Sequence, residues 1–571
     1  MKISGAQAVV RALVEQETDF VFGLPGAHTL ELIDALIDSP VRHVLTASEL
    51  GAAFMADGYA RATGRVGVCL AVPGPGLTNM ITGLAEALLD SSPMVVVVTT
   101  ATADGLAFHT HEIPQLAAVA PVVKGALRIG RVTEIQEVMS RAFQLAADQE
   151  PGPVVVEVRQ AVLRRRTDFA PSRQAVAAAP VLPDVRAQIE AVVKTINSAR
   201  RCGLYVGKGA QGASEKVRWL AEYLSAPVAT TISGKGVLAE DHALAVGFGF
   251  GPAGTKAAAA VFKGCDVVLA LGVKFSEMSA GKWLKFPGAL VHIDACSGNL
   301  NRNYRADLAL CLDAGAAVEA MRAPSAGLKE KHHPEVVQEI SRYKAAHLER
   351  IRQASAPAGL HPSYFFHHLA QALDRDTIVV TDCGAHQLWA ITDYCVRSPN
   401  GFVTPADYQA MGFGIPAAVG AALGCPEKCT VCVCGDGGFL MTGFEILTAV
   451  RNKVNLAVVV FNDGALGHIK TSQRIIFGRT ATVELNNPDF EKMAAAFRVD
   501  YLAVRDDSQL KAGLEKIRQN RGVVLMDVRI DYQQWPDYMR GVAVAAWRRL
   551  PLAKKLRLVA ARASRGLKYG S

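Results

Sequence analysis

Two acidic residues stand where a chain can hold a cation. Asp436 lies between glycines in residues 432–447, CVCGDGGFLMTGFEIL, just after an apolar run, and Asp463 closes a second apolar run, NLAVVVFND, 27 positions later. By itself a GDG tripeptide is a turn former. The spacing adds the meaning, because 27 residues accommodate a strand, a covering helix and a return strand, which sets both carboxylates at the carboxyl ends of neighbouring parallel strands. Two carboxylates, the backbone carbonyl of Ala465 as a third oxygen, a glycine-lined approach through Gly435, Gly437 and Gly438, and a helix N-terminus after Gly438 suit a hard divalent cation bridging a diphosphate.

The elements that must carry these groups follow from the pattern. Strand-like runs (VCLAVPGPG, MVVVVTT, CGLYVGKG, VVLALGVKF, TIVVTDCG, NLAVVVFND, GVVLMDVRI) alternate with helical stretches, which predicts an α/β chain of doubly wound parallel sheets. A chain of 571 residues is too long for one core. Residues 175–188 and 323–336, rich in Pro, Ala and charge, read as linkers. The expected units are an N-terminal domain over 1–170, a central domain over 185–325, a C-terminal domain over 355–535, and a basic tail over 536–571.

Composition narrows the function. The N-terminus has no uninterrupted apolar core of a signal peptide, and no apolar run approaches a membrane span, so we expect a soluble, cytoplasmic protein. Eleven cysteines in so long a chain do not form a disulfide framework. Cys425, Cys429 and Cys432 have a spacing that can hold an iron-sulfur cluster, but Cys432 and Cys434 alternate as in a buried strand, and core thiols are the favoured reading. The net charge is +8, and nine basic residues with no acidic one follow Asp537, so the remaining chain carries −1 (8 less 9). A nearly neutral body argues against nucleic acid as a partner.

At this point the chain resembles the thiamin-diphosphate-dependent enzymes, specifically the acetolactate synthase and pyruvate oxidase group. The resemblance runs over essentially all of residues 1–535 and includes FGLPGAHTLELIDAL, the long SELGAAFMADGYARATGRVGVCLAVPGPGLTNMITGLAEALLDSSPMVVV, GKGVLAEDH, CGAHQLWA, QAMGFGIPAAVGAAL and the GDG…ND element. It implies thiamin diphosphate and Mg2+ as cofactors, with Asp436, Asp463 and Ala465 as metal ligands. It implies that Glu49 bonds the aminopyrimidine N1′, that the Gln409 carbonyl accepts from the 4′-amino group, and that Met411 is the apolar wedge bending the cofactor. Gly384, Ala385 and His386 match the diphosphate loop, with Ala385 where synthases often have Gln, and Pro73 heads a helix near the site. Leu466 and Gly467 follow the metal ligands. The first unit would bind the pyrimidine and the third the diphosphate, from different subunits, so a homodimer or homotetramer with its site at the interface is implied.

The implied chemistry is a C2 carbanion attacking a 2-oxo acid, loss of CO2, and an enamine that adds to a second carbonyl, as a carboligase or lyase. Three histidines bear on the choice of reaction. His28 stands where synthases carry small residues and where benzaldehyde lyase resembles this chain, His111 replaces a Gln before Glu112, and His468 replaces a Met; each is a candidate proton shuttle. Ser472 occupies the place of a specificity Trp. The alternatives are a flavin-linked 2-oxo acid oxidase or decarboxylase at the membrane surface, and a lyase or hydrolase acting on a 2-hydroxy ketone or diketone. FAD stays open but not favoured: 247–254, GFGFGPAG, could approach a dinucleotide, while the RFDDR of flavin-containing synthases is KFSEM at 274–278. In the tail, Leu552, Leu556, Val559 and Ala563 fall on one helical face after Pro551, opposite Lys554, Lys555, Arg562 and Arg565. This predicts a basic amphipathic helix that lies on an anionic membrane or docks on a subunit.

Overall fold

A computed structural model of the chain describes residues 2–100, 109–168, 185–250, 254–280, 285–354, 356, 359–532, 551, 552 and 555. Its strands form three six-stranded sheets and a two-stranded ribbon, Lys2–Ser4 antiparallel to Arg166–Asp168. The three expected α/β units are therefore present. All pairings within the large sheets are parallel, and runs such as MVVVVT of Met94–Thr99 are buried along their whole length, as strands covered on both faces must be.

The first sheet runs Arg42–Leu45, Phe20–Gly23, Gly67–Ala71, Met94–Thr99, Pro153–Val158, Gly125–Ile129, and the third runs Phe402–Val403, Ile378–Thr381, Thr430–Gly435, Leu456–Asn462, Val523–Arg529, Asp500–Val504. Counted along the chain, both have the order 2-1-3-4-6-5. The middle sheet has the order 3-2-1-4-5-6, with Cys202–Val206 as its first strand and Val267–Leu271 as its fourth.

Alternation within the strands decides which core each residue joins. Cys432, Cys434, Val458 and Val460 face an inner core that also holds Phe22, Cys69, Val96 and Val155 of the first sheet. Val431, Val433, Ala457 and Val459 face an outer core of the third unit, and Val68, Leu70, Val95 and Val97 an outer core of the first. The first and third units thus share one interior, while the middle unit has a core of its own.

Two helices fill that shared interior. Glu49–Thr63 begins where the Ser48 hydroxyl accepts the Gly51 N–H and ends at Gly64, whose φ of 75° suits a residue without a side chain. It crosses Gly414–Gly424 with backbone against backbone. A Cβ on Gly58 would lie 2.0 Å from the Ala417 carbonyl oxygen, and one on Gly420 would lie 1.9 Å from that of Met55. The small residues of both helices are therefore a packing requirement.

Several expectations are revised here. The helix of the GDG segment is Asp436–Thr442, so it starts at Asp436 itself and not after Gly438. Residues 323–336 are not simply a linker: Pro324–Ala326 is a 3₁₀ turn, and Val336 and Ile340 of the helix Pro334–Gln353 are buried in the middle core. The stretch 175–184 lies outside the described residues, and so does the tail apart from Pro551, Leu552 and Lys555. The eleven cysteines are free thiols. Cys425 and Cys432 face the inner core while Cys429 packs against the outer one, so the three do not converge on a cluster. Among the described residues, no helix is long and apolar enough to cross a membrane.

Replacing Gly420 with Ala forces a methyl group onto backbone that cannot yield without parting the two helices. We expect Gly420→Ala to lower stability by about 3 kcal/mol, measured by urea unfolding, whereas Gly478→Ala, at an open turn, shows only its backbone strain.

Candidate active site

The site residues expected from the sequence gather in two groups. The first lies in the N-terminal unit, where Glu49 opens its helix and its Oε2 accepts the Asn79 amide at 3.1 Å. Glu49 Oε1 is 3.5 Å from where a Gly76 Cβ would be, so the first turn of the helix Pro75–Asn79, which follows the Pro73–Gly74 turn, faces this carboxylate. Gly74, at φ 64°, has no room for a side chain because the His111 carbonyl is 2.5 Å from its would-be Cβ. The His111 and His28 rings stand 5.3 Å apart, and His28 Nδ1 is 3.5 Å from Gln160 Oε1. His111 Nδ1 is buried without a hydrogen-bond partner, and its backbone is left-handed, φ 68°.

The second group crowns the third sheet. Gly435 pairs with Phe461 on adjacent parallel strands, so Asp436 and Asp463 do follow neighbouring strand ends. Asp436 is buried and oriented by three donors: the Gly437 N–H to Oδ1 at 2.9 Å, and the Gly464 N–H and Asn487 amide to Oδ2, each at 2.8 Å. Burial holds its carboxyl above the usual carboxylate range. Asp463 is pushed up to about 7 by burial and by the charge of Asp436, against the pull of Lys470. The Asn487 Oδ1 is buried without a partner, and so is the Tyr532 hydroxyl.

Around this pair, Met411 Cε and Leu466 Cδ2 lie 3.4 Å and 2.7 Å from the position a Gly437 Cβ would take, and Asp463 Oδ2 lies 2.5 Å from that of Gly467. Neither glycine has room for a side chain, so Leu466 and Asp463 pack directly on their backbones. Gly384, at φ 153°, precedes the helix Ala385–Asp393, whose His386 ring fills the space beside Gly435. His386 Nε2–H donates to the Asp382 carbonyl at 2.9 Å, and burial pushes the imidazole down to about 4, so it is neutral and its Nδ1 faces Gly435 as an acceptor. Gln409 has a left-handed φ of 65°, and its side-chain oxygen meets the Cys383 thiol at 3.3 Å. His468 sits in the helix Gly467–Phe477, its imidazole lowered by burial.

Three positions escaped the sequence reading. Asp382, the acid after Ile378–Thr381, accepts the N–H groups of Cys383, Gly412 and Gly414 at 2.6, 3.0 and 3.0 Å, tying the turn before the helix Ala385–Asp393 to the loop that leads into Gly414–Gly424. Burial pushes it up to about 6. Its place at a strand end was a usable signal. Glu445 accepts the Ala47 and Ser48 N–H groups and so holds the start of the Glu49 helix from another domain, and Asn487 orients Asp436; neither stands in a recognisable spacing.

Comparison with known families covers this arrangement. Residues 3–119 match the thiamine pyrophosphate enzyme N-terminal TPP binding domain, 189–321 the central domain, and 382–528 the C-terminal TPP binding domain. The chain belongs to the thiamine pyrophosphate enzyme family. Within it, the chain is similar to the acetolactate synthase isozyme 2 large subunit of Escherichia coli, 32% identical over 544 residues that cover 94% of this chain and 97% of that one. It is also similar to isozyme 3 of the same organism, 32% over 562 residues (94% and 97%), and to a probable acetolactate synthase large subunit of Methanocaldococcus jannaschii, 32% over 551 residues (93% and 92%).

The donor set suits this family's cofactor. A buried carboxylate, Asp436, and a half-buried one, Asp463, of like charge favour a cation, and two carboxylates are what a small hard cation accepts. No cluster of three or more His, Cys, Asp or Glu is found among the described residues, so phosphate oxygens and backbone carbonyls would complete the coordination. A separate cavity of about 540 Å3 lies at the strand ends of the middle sheet, lined by Lys208, Gly209, Lys274 and Asp294 and by Asp90 and Glu150 of the first unit. A 3-2-1-4-5-6 sheet receives dinucleotides at such a place. Here Lys274 bonds the Leu89 carbonyl, the Ser91 hydroxyl and Glu150.

The sign of the Asp463 effect is set by its raised pKa: folding retains a proton that the unfolded chain releases near pH 4, so its contribution to stability is lost as pH rises from about 4 to about 7. In chelator, Asp463→Asn is expected to melt several °C above wild type at pH 8 and at the same temperature near pH 4, measured by calorimetry.

Proposed function

We propose that the protein is a carboligase of the acetolactate synthase type, acting on a 2-oxo acid with thiamin diphosphate held through Mg2+. The observation that carries this reading is the pair Asp436 and Asp463, set on neighbouring strand ends inside a matched TPP binding domain, in a chain resembling acetolactate synthases nearly end to end. When bound, the cofactor supplies a nucleophilic thiazolium carbon and an electron sink for loss of CO2.

The chain's own groups have distinct tasks. Asp436, Asp463 and the Ala465 carbonyl hold the cation, and the backbone of Gly437, Gly438 and 384–386 receives the phosphates. Leu466 and Gly467 close that end. The Gln409 carbonyl accepts from the aminopyrimidine, Met411 supplies the apolar wedge, and Glu49 holds a proton at the pyrimidine nitrogen, where an apolar wall favours sharing over charge separation. His28, His111 and His468 border the substrate and can move a proton at its carbonyl oxygen.

A homodimer or homotetramer is part of the proposal. Arg61, twelve residues beyond Glu49 and about 18 Å along the helix, reaches the Thr404 carbonyl at 2.7 Å and lies over the Phe413 ring, on the side of Gln409 and Met411. That separation supports a site built from Glu49 of one copy and the Asp436 unit of another. Exposed apolar side chains between the two groups, Leu440, Met441, Phe444 and Leu447 (46%, 58%, 63% and 39% exposed), fit burial against a second copy.

With Mg2+ and thiamin diphosphate, incubation with single and paired 2-oxo acids is expected to release CO2 and yield a 2-hydroxy-2-methyl-3-oxo acid or homologue, identified by mass; release of the bare aldehyde alone would overturn the carboligase reading. Glu49→Gln should lower turnover at least about 100-fold with an unchanged melting temperature. Asp436→Ala should weaken thiamin diphosphate binding measured by calorimetry, and undiminished affinity would refute its role as ligand. Absorbance of the purified protein in the flavin region decides whether the middle cavity holds a dinucleotide.

A further inference from the structure

The segment 404–411, TPADYQAM, forms neither helix nor strand, so its backbone groups need partners from elsewhere. They come from two helices of the N-terminal unit. Arg61 donates to the Thr404 carbonyl at 2.7 Å, and Asp90 accepts the Ala406 and Asp407 N–H groups, each at 2.7 Å. The Gln409 amide folds back on the Pro405 and Ala406 carbonyls at 2.6 and 2.7 Å. The Ala410 N–H donates to Glu86 Oε2 at 2.9 Å, a third tie from the N-terminal unit.

That last bond has a geometric consequence. The Ala410 N–H and the Gln409 carbonyl are two ends of one planar trans peptide unit, so whatever fixes the direction of the first fixes the opposite direction of the second. Gln409 is also in the left-handed region, φ 65°, a conformation that a residue with a side chain keeps only where its surroundings impose it. Glu86 is fully buried, near the end of the helix Ile81–Leu89.

We propose that Glu86 is a positioning residue: by holding the Ala410 N–H it aims the Gln409 carbonyl and seats Met411 for the bound cofactor. The inference rests on the cofactor contacts proposed above for Gln409 and Met411.

The surroundings of Glu86 define the form in which it acts. It faces Asp90 and Arg61, whose Nη2 is 3.6 Å from Glu86 Oε1, and Arg61 also pairs with Asp57 and Asp90 at 2.7 Å each. Lys208, from the middle unit, bonds the Asp90 carbonyl and the Ser92 hydroxyl, and Asp407 lies beyond Asp90. Three carboxyl groups, Asp57, Glu86 and Asp90, thus meet one guanidinium. Burial and then the charge of Asp90 hold Glu86 well above the usual carboxylate range, whereas Arg61 overcomes burial at Asp90 and holds it below. Of the two acids, Glu86 is thus the one that more readily holds a proton; its Oε2 accepts from Ala410, and a side chain of the same length with an acceptor oxygen can replace it.

The test uses the full-length protein loaded with thiamin diphosphate and Mg2+, and reads exchange of the cofactor C2 proton for deuterium by NMR alongside the cofactor Kd and the melting temperature. Glu86→Gln keeps length and an acceptor oxygen, and is expected to exchange within about threefold of wild type. Glu86→Asp keeps a carboxyl but loses reach, and Glu86→Ala loses the acceptor. Both are expected to slow exchange about tenfold or more, by loss of one oriented hydrogen bond, with Kd changed less than about threefold. Wild-type exchange in Glu86→Asp or Glu86→Ala, or a Glu86→Gln variant as slow as Glu86→Ala, would overturn the positioning role. Wild-type protein that does not bind thiamin diphosphate would instead refute the underlying cofactor reading. Glu86→Asp, which retains the buried carboxyl, keeps the test decisive should Glu86→Ala fail to fold.

Discussion

Two carboxylates just past the ends of hydrogen-bonded neighbouring strands, buried Asp436 and half-buried Asp463, lie close enough that the charge of one opposes ionisation of the other unless a cation is bound. Much of the third unit follows from holding that arrangement. Three N–H donors orient Asp436, glycines at 437 and 467 let Leu466 and Asp463 pack against bare backbone, and the helix that starts at Asp436 adds the positive end of its backbone dipoles. On the proposed reading, a pair that destabilises the free protein would become an asset once a cation and a diphosphate bind, since binding would remove the repulsion that folding tolerates.

The remaining precision comes from carboxylates that touch no reacting group. Asp382 joins two loops by three N–H bonds, Glu445 holds the start of the Glu49 helix, and Glu86 holds the peptide plane after Gln409. In the last two cases donor and acceptor come from different domains, so the site loops depend on the N- and C-terminal units being locked together. The close crossing of Glu49–Thr63 with Gly414–Gly424 provides that lock, because backbones in contact leave no slack for one sheet to slide over the other.

Much of this architecture was legible before any coordinates. Buried parallel strands announce themselves as uninterrupted β-branched runs, and the 27-residue interval between Asp436 and Asp463 leaves room for little except one crossover. The cysteines of 432–434 proved to be strand interior, as their alternation suggested. Local detail was less legible. The helix begins at Asp436 and not after Gly438, because a carboxylate in the first turn is itself a favourable start, and 323–336 contains a buried residue that Pro and charge around it conceal.

The sequence alone determined the fold class, the two strand-end acids and the family resemblance, since each depends on residue type and short spacing. The tertiary structure decided which carboxyl groups serve those acids. Glu86 and Ala410 are 324 positions apart, and Glu445 and Ala47 are 398 apart. What each glutamate recognises is a backbone N–H, which every residue but proline possesses, so no side-chain pattern could reveal the pairing. Only the folded chain brings that anonymous donor to a particular oxygen.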